Sequence, residues 1–190
     1  MPSKPQQSNH PDLEDPKVRE TLLRTHPLVT HQYTMLTPVI HETYESIRER
    51  VYLRRTGTFS YAFPRTGKTR CARAIESFLA EEFHSTFIVF LPAEKCNSRT
   101  EFAHMLLRSC NLPILKRERF EFMRDRFEIH VRSELERVTG DHFVLIIDEM
   151  QLLGEDEYSE LCALHNRLDV ANVAMTTVGF AQPEILEVRE

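Results

Sequence analysis

Two uninterrupted apolar runs constrain this chain more than any other feature. Residues 86–91 (TFIVFL) and 143–147 (FVLII) are apolar at successive positions rather than at alternate ones. A strand with one wet face alternates, whereas a strand covered on both faces has no reason to. Each run lies between stretches whose apolar residues recur at helical spacing, so the helices must supply both covers. Strands linked through helices run parallel, because only a crossover long enough to hold a helix can return the chain to the same edge. The expectation is an α/β fold, a three-layer αβα sandwich around a central parallel sheet.

The remaining elements fit that frame. Thr37-Pro38 is an N-cap followed by proline at the first helical position. Val39, Ile40, Tyr44, Ile47, Val51 and Tyr52 continue at helical spacing to about Arg54, and Thr56-Gly57 stops the helix. A β-prone run over 58–63 follows, then a helix over 67–83 and the strand at 86–91. Helices are expected at 99–110 and 117–138, the second amphipathic and arginine-rich. The strand at 143–147 precedes an acidic helix over 155–168 and a last strand over 172–178. Residues 1–36 carry Pro2, Pro5, Pro11, Pro16 and Pro27 with little periodicity. They read as a tail or extended arm, ahead of a core at 37–190.

Several classes of function drop out. No apolar run approaches the roughly 20 residues of a membrane helix, and the N-terminus lacks a signal-peptide core. Cys71, Cys96, Cys110 and Cys162 have no CxxC spacing, which argues against a zinc knuckle or a disulfide framework. His41-Glu42 begins like a zinc-protease helix, but Glu45 stands where the second His is required. A reduced protein of the bacterial cytoplasm is the expectation, with no membrane partner.

The loop between the first strand and its helix carries the first chemistry. Ala62-Phe63-Pro64-Arg65-Thr66-Gly67-Lys68-Thr69 fits the phosphate-loop spacing GxxxxGK[ST], except that Ala62 replaces the first Gly. Such a loop must turn several backbone N–H groups inward, so that they and the helix N-terminus cradle phosphate oxygens. Gly67 permits close backbone approach, Lys68 supplies a cation for the β- and γ-phosphates, and the Thr69 hydroxyl suits Mg²⁺. ATP contacts are expected from Phe63, Pro64, Arg65, Thr66, Gly67, Lys68, Thr69 and Arg70.

The second apolar strand ends in Asp148-Glu149, 79 residues after Thr69. Asp148 is placed to hold Mg²⁺, usually through its water. Glu149 is placed to polarise an attacking water as general base. The last strand ends in Thr176-Thr177 before Gly179. In such sheets it lies between the two motif strands and offers a polar side chain to the γ-phosphate or the water, and Thr177 is favoured over Thr176.

The segments PRTGKT (64–69), IIDEMQLL (146–153) and VGFAQPEIL (178–186) resemble those of the AAA+ ATPases of transposition, the TnsC/TniB group and more distantly MuB. That resemblance spans roughly residues 20–190. It implies a P-loop NTPase fold of the AAA+ (ASCE) type with strand order 5-1-4-3-2, and ATP and Mg²⁺ held between neighbouring subunits. It further implies self-assembly into a ring or helical filament around double-stranded DNA. Such proteins mark a target, recruit or activate transposase subunits, and link to a target-selecting partner, in some cases within CRISPR-associated transposons. By the same resemblance Lys68 and Thr69 contact phosphate and Mg²⁺, Asp148 the metal, Glu149 the water, and Thr177 the sensor position. Because the sequence given runs only twelve residues past Val178, the expectation is a core lacking the fifth strand and the C-terminal helical lid.

The family places DNA near the segment after residue 91, where Lys95, Arg99 and Thr100 are the candidates. Residues 95–126 hold eight bases and four acids, and backbone phosphate contacts need no sequence preference. The alternative for Arg117, Arg119, Arg124 and Arg126 is a solvated helix face with interleaved acids. Residues 141–190 hold eleven acids and only two bases, Arg167 and Arg189. These two are the candidates for the arginine an AAA+ site receives from its neighbour. His26 and Pro27 are candidates for the adenine side. Rival readings are another AAA+ ATPase of DNA metabolism such as a helicase loader, a P-loop kinase of small molecules, and a non-catalytic nucleotide-gated adaptor.

Overall fold

The computed structural model describes residues 15–30 and 36–183. The chain divides into two units, 1–35 and 36–190. In the first, helix α1 (Pro16–Thr25) starts at Asp15, whose side chain accepts from the Lys17 N–H, with proline in the first turn. A single turn, α2 (Pro27–Thr30), follows. This helical content corrects the expectation of an extended arm. Asp15-Pro16 is the same N-cap and proline signal that Thr37-Pro38 gives, and Val18, Leu22 and Leu23 follow at helical spacing, although α1 buries no side chain.

The second unit opens with α3 (Pro38–Tyr52), capped by Thr37, whose Oγ1 accepts from the Ile40 N–H. The chain then runs through β1 (Gly57–Tyr61), α4 (Lys68–Glu82), β2 (Thr86–Pro92), α5 (Arg99–Ser109) and α6 (Phe120–Arg137). After these come β3 (His142–Asp148), a 3₁₀ turn (Met150–Leu152), α7 (Glu155–Val170) and β4 (Ala174–Ala181). All four strands are parallel in the order β1-β4-β3-β2. That is the 1-4-3-2 part of the expected order, and no fifth strand occurs among the described residues.

The two faces of the sheet explain the apolar runs. Val89, Leu91, Phe143, Leu145, Ile147 and Met175 pack with α5, α6 and α7, through Phe102, Leu107, Met123, Phe127, Leu161 and Leu164 among others. The alternate residues Phe90, Val144, Ile146, Val178 and Phe180 pack with α3 and α4, through Ile47, Val51, Ala72, Ile75 and Leu79. Every residue of β3 is buried. The architecture is thus the expected three-layer sandwich, and among the described residues no helix is long and apolar enough to cross a membrane.

One boundary moves with consequences for the site. β4 runs through Gly179 to Ala181, whereas the sequence places its end at 178. Glycine there is not a stop. A Cβ at Gly179 would lie 2.3 Å from Met150 Sδ and 2.9 Å from Phe59 Cδ1. The position is glycine because the 3₁₀ turn and β1 crowd the strand, a close approach rather than a break.

Candidate functional site

The C-terminal ends of β1, β3 and β4 meet the start of α4. After β1, the Ala62 N–H donates to Ala181 O at 3.1 Å, extending the β1–β4 ladder by one step. The residue in the place of the first Gly is therefore an extension of the strand, and its φ is not positive. The left-handed residues of the loop are Arg65, with φ 62°, and Gly67, with φ 88°. Thr66 Oγ1 donates to Phe63 O at 2.8 Å and closes the turn.

Gly67 is the N-cap of α4. It offers no capping side chain, and the first turn contains no acid. The leading N–H groups of a 15-residue helix thus face out with the positive end of its dipole behind them. Nothing lies within 4 Å of where a Gly67 Cβ would be, so there is open space in front of the turn. Lys68 is buried while Pro64, Arg65, Thr66, Thr69 and Arg70 are exposed, as is Phe63. Lys68 Nζ has no satisfied hydrogen bond. Its 3.1 Å approach to Glu149 Oε1 is an ion pair without hydrogen-bond alignment. A desolvated ammonium with donors to spare is what a phosphate oxygen requires.

β3 delivers the two acids. Asp148 is buried, and its main-chain oxygen accepts from the Ala93 N–H at 2.9 Å. Glu149 then turns sharply, with φ 55° and ψ 38°, and its N–H donates to Asp148 Oδ1 at 3.0 Å. That left-handed backbone is uncommon for a residue with a Cβ. It swings the Glu149 carboxylate towards Lys68. Glu149 Oε2 accepts from the side-chain amides of Gln151 and of Gln182, the latter at 3.0 Å. Burial pushes the Glu149 carboxyl up, but the Gln151 and Gln182 amides and the Lys68 cation outweigh it and hold it below the usual carboxylate range. The carboxylate stays ionised.

Thr177 is not brought to this site, which corrects the expectation for it. It pairs with Gly57 in β1 and with Leu145 in β3, three residues short of Asp148, and its hydroxyl bonds His165 Nε2 at 2.8 Å. Thr176 is fully buried between His142 and the Arg55 carbonyl. The polar side chain at the end of β4 is Gln182, which the sequence reading missed. The available signal was Gln182 itself, visible once the strand is allowed to run through Gly179.

The outlying candidates separate. Lys95 is exposed after β2, and Thr100 is half-buried in the first turn of α5. Arg99 is exposed but bonds Asp156 at 3.1 Å and lies 3.6 Å from Glu160, both on α7. Arg124 pairs with Asp125, and Arg126 with Glu118 and the Pro113 carbonyl, so this part of α6 has its acids interleaved. Arg167 is half-buried and bonds Glu128 on α6. Arg189 lies outside the described residues. His26 and Pro27 belong to the N-terminal unit.

The sequence matches the family model described as AAA domain over residues 54–188. No curated protein gives a match. Among solved structures, the chain is similar to ORC2 of Aeropyrum pernix, with TM-score 0.58 and 12% identity over 80% of this chain and 44% of that one. Cdc6p of Pyrobaculum aerophilum gives TM-score 0.56 and 17% identity over 88% and 44%. ORC1 of Aeropyrum pernix gives 0.58 and 16% over 81% and 42%. At these identities the likeness is one of fold, and the chain spans less than half the length of each. The family match covers the phosphate loop, both acids and the whole sheet, and the chain belongs to the AAA domain family.

Proposed function

We propose that this chain binds ATP with Mg²⁺ at the 62–69 loop and hydrolyses it, and that it regulates DNA transposition as an AAA+ ATPase. In that role it assembles on double-stranded DNA as a ring or filament and engages transposase subunits and a target-selecting partner. The observation that carries the ATPase reading is the convergence of Lys68, Asp148, Glu149 and Gln182 from the ends of three elements.

The residues present suit both groups. The buried Lys68 ammonium, ion-paired with Glu149 but with no satisfied hydrogen bond, and the uncapped start of α4 suit phosphate oxygens. Thr69 and Asp148 would hold Mg²⁺. Among the described residues no cluster of three or more His, Cys, Asp or Glu is placed to hold a metal, so the ion would draw its other ligands from phosphate and water, as Mg²⁺ commonly does. Its chemistry there is to neutralise charge on the phosphate oxygens. Glu149 takes the proton from the attacking water, and Gln182 stands in for Thr177 as the polar side chain beside that water. An acid reserved for water suits hydrolysis better than transfer to a small-molecule hydroxyl, which weighs against the kinase reading.

The transposition role rests on the resemblance of the 64–69, 146–153 and 178–186 segments. The structure of Aeropyrum pernix ORC1 is one in complex with DNA, and that of ORC2 carries ADPNP and ADP, so another DNA-bound AAA+ ATPase is the second reading. For DNA, Lys95 and Thr100 are the backbone contacts. Arg99 joins them by exchanging Asp156 for a phosphate, an exchange made easy by the small net worth of an exposed ion pair. Arg167 and Arg189 are the finger candidates, and Arg167 would have to exchange Glu128 for a neighbour's phosphate. Electron microscopy of the chain with duplex DNA and ATP, ADP or no nucleotide tests the assembly. Rings or filaments that require ATP support it. DNA binding indifferent to nucleotide, or none at low salt, overturns it.

A further inference from the structure

Gln151 is oriented by a main-chain donor. The Gln182 N–H donates to Gln151 Oε1 at 3.1 Å, so the oxygen of the carboxamide faces β4 and the NH₂ must face the other way. There it donates to Glu149 Oε2. Gln182 Nε2 donates to the same oxygen at 3.0 Å. Two amide donors thus take one carboxylate oxygen and leave the other, Oε1, facing Lys68 Nζ at 3.1 Å.

The platform under Gln151 is rigid. Met150, one residue before it, is buried against the face of Gly179, and Tyr158 Oη donates to the Met150 carbonyl at 3.4 Å. Leu153 closes the 3₁₀ turn through its N–H to Met150 O at 3.2 Å and is itself buried. Gln151 therefore has its Cα fixed by packing, its amide polarity fixed by a backbone N–H, and its donor spent on the base.

We propose that Gln151 is a positioning residue for ATP hydrolysis: locked by the Gln182 N–H, its amide sets the side-chain rotamer of Glu149 so that Oε1 faces the phosphate side. This rests on the ATPase reading above. Gln151 touches no reacting atom. A phosphate that draws the Lys68 ammonium away from Oε1 releases that oxygen towards water, while Oε2 stays held by the two amides. The base is then aimed before the water arrives, and no rotamer search is left for the reaction step.

The test compares the full chain with Gln151→Glu, Gln151→Leu and Gln182→Leu, measuring ATP affinity by calorimetry, turnover by phosphate release, and melting temperature. Gln151→Leu removes the donor without adding charge, while Gln151→Glu keeps the size of the side chain but sets a second carboxyl against Glu149, which repels it or shares its proton. Gln182→Leu removes one donor and keeps the backbone lock. Turnover should fall about 10- to 100-fold in both Gln151 variants and less in Gln182→Leu, with ATP affinity and KM for ATP within about twofold of wild type. Full kcat in Gln151→Leu, which fills the space without offering a donor, overturns the proposal. A parallel loss of ATP affinity and kcat in Gln151→Glu and Gln182→Leu also overturns it. Failure of the wild-type chain to bind or turn over ATP is a different result, read on the wild type alone. It overturns the ATPase reading together with this one.

Discussion

The ammonium of Lys68 lies 3.1 Å from Oε1 of Glu149, joining the first turn of α4 to the end of β3. The pair couples the two halves of the proposed reaction: the cation for phosphate and the base for water occupy one another until a nucleotide separates them. Lys68→Ala removes the buried cation from the loop. ATP affinity should drop about 10- to 100-fold, the worth of one charge-assisted hydrogen bond, as read by calorimetry.

Gln182 and Thr177 make opposite predictions. Thr177 bonds His165 at mid-strand, whereas Gln182 bonds Glu149. Thr177→Val should leave kcat within about twofold of wild type, while Gln182→Leu should lower it several-fold with little change in KM, because its interaction is with the reacting group rather than the ground state. Steady-state phosphate release distinguishes them. Equal effects would return Thr177 to the site.

Gly179→Ala tests why β4 continues. The added methyl meets Met150 Sδ at 2.3 Å and the Phe59 ring at 2.9 Å. The thioether can shift, but the Phe59 ring is packed against the core. The variant should lose about 1–3 kcal/mol in urea unfolding, the usual cost of overpacking. Unchanged stability would mean that the strand has slack at this point.

Much of this was legible because burial on both faces leaves a plain signature. The runs at 86–91 and 143–147 announced β2 and β3, and the loop at 62–69 announced the turn into α4, since a phosphate cradle requires glycine and lysine at fixed places. What escaped depends on contacts between distant segments. Gly179 reads as a breaker until Met150 and Phe59 are seen against it, and ending β4 early placed Thr177 where Gln182 stands. Arg65 in a left-handed turn and the left-handed Glu149 carry no sequence mark, because nothing in an Arg or Glu advertises a positive φ. α1 was missed although Asp15-Pro16 caps it and Val18, Leu22 and Leu23 stand at helical spacing, because the surrounding prolines read as an arm.

His142 gives the fold a pH dependence. Thr176 Oγ1 donates to Arg55 O at 2.7 Å and therefore accepts from His142 Nε2–H at 2.9 Å, so in the neutral ring the proton sits on Nε2. Burial, with the Arg54 cation adding to it, lowers its pKa from 6.5 to about 4. As pH falls, the unfolded chain takes up this proton first. The contribution is fully present above pH 6.5 and is lost progressively between 6.5 and about 4, about 3 kcal/mol in all. Urea unfolding at pH 7.5, 6 and 5 should show that decline, and His142→Gln should flatten it relative to wild type. Identical slopes would place the proton elsewhere.

The most direct measurement is ATP binding and phosphate release by the wild-type chain and by Glu149→Gln, side by side and with duplex DNA present and absent. The wild type should bind and turn over ATP, and the variant should bind it with affinity near wild type while kcat falls at least about 100-fold, the usual worth of a general base. Turnover by Glu149→Gln at the wild-type rate would contradict the account, because a carboxylate held by Lys68, Gln151 and Gln182 would then have no part in the chemistry.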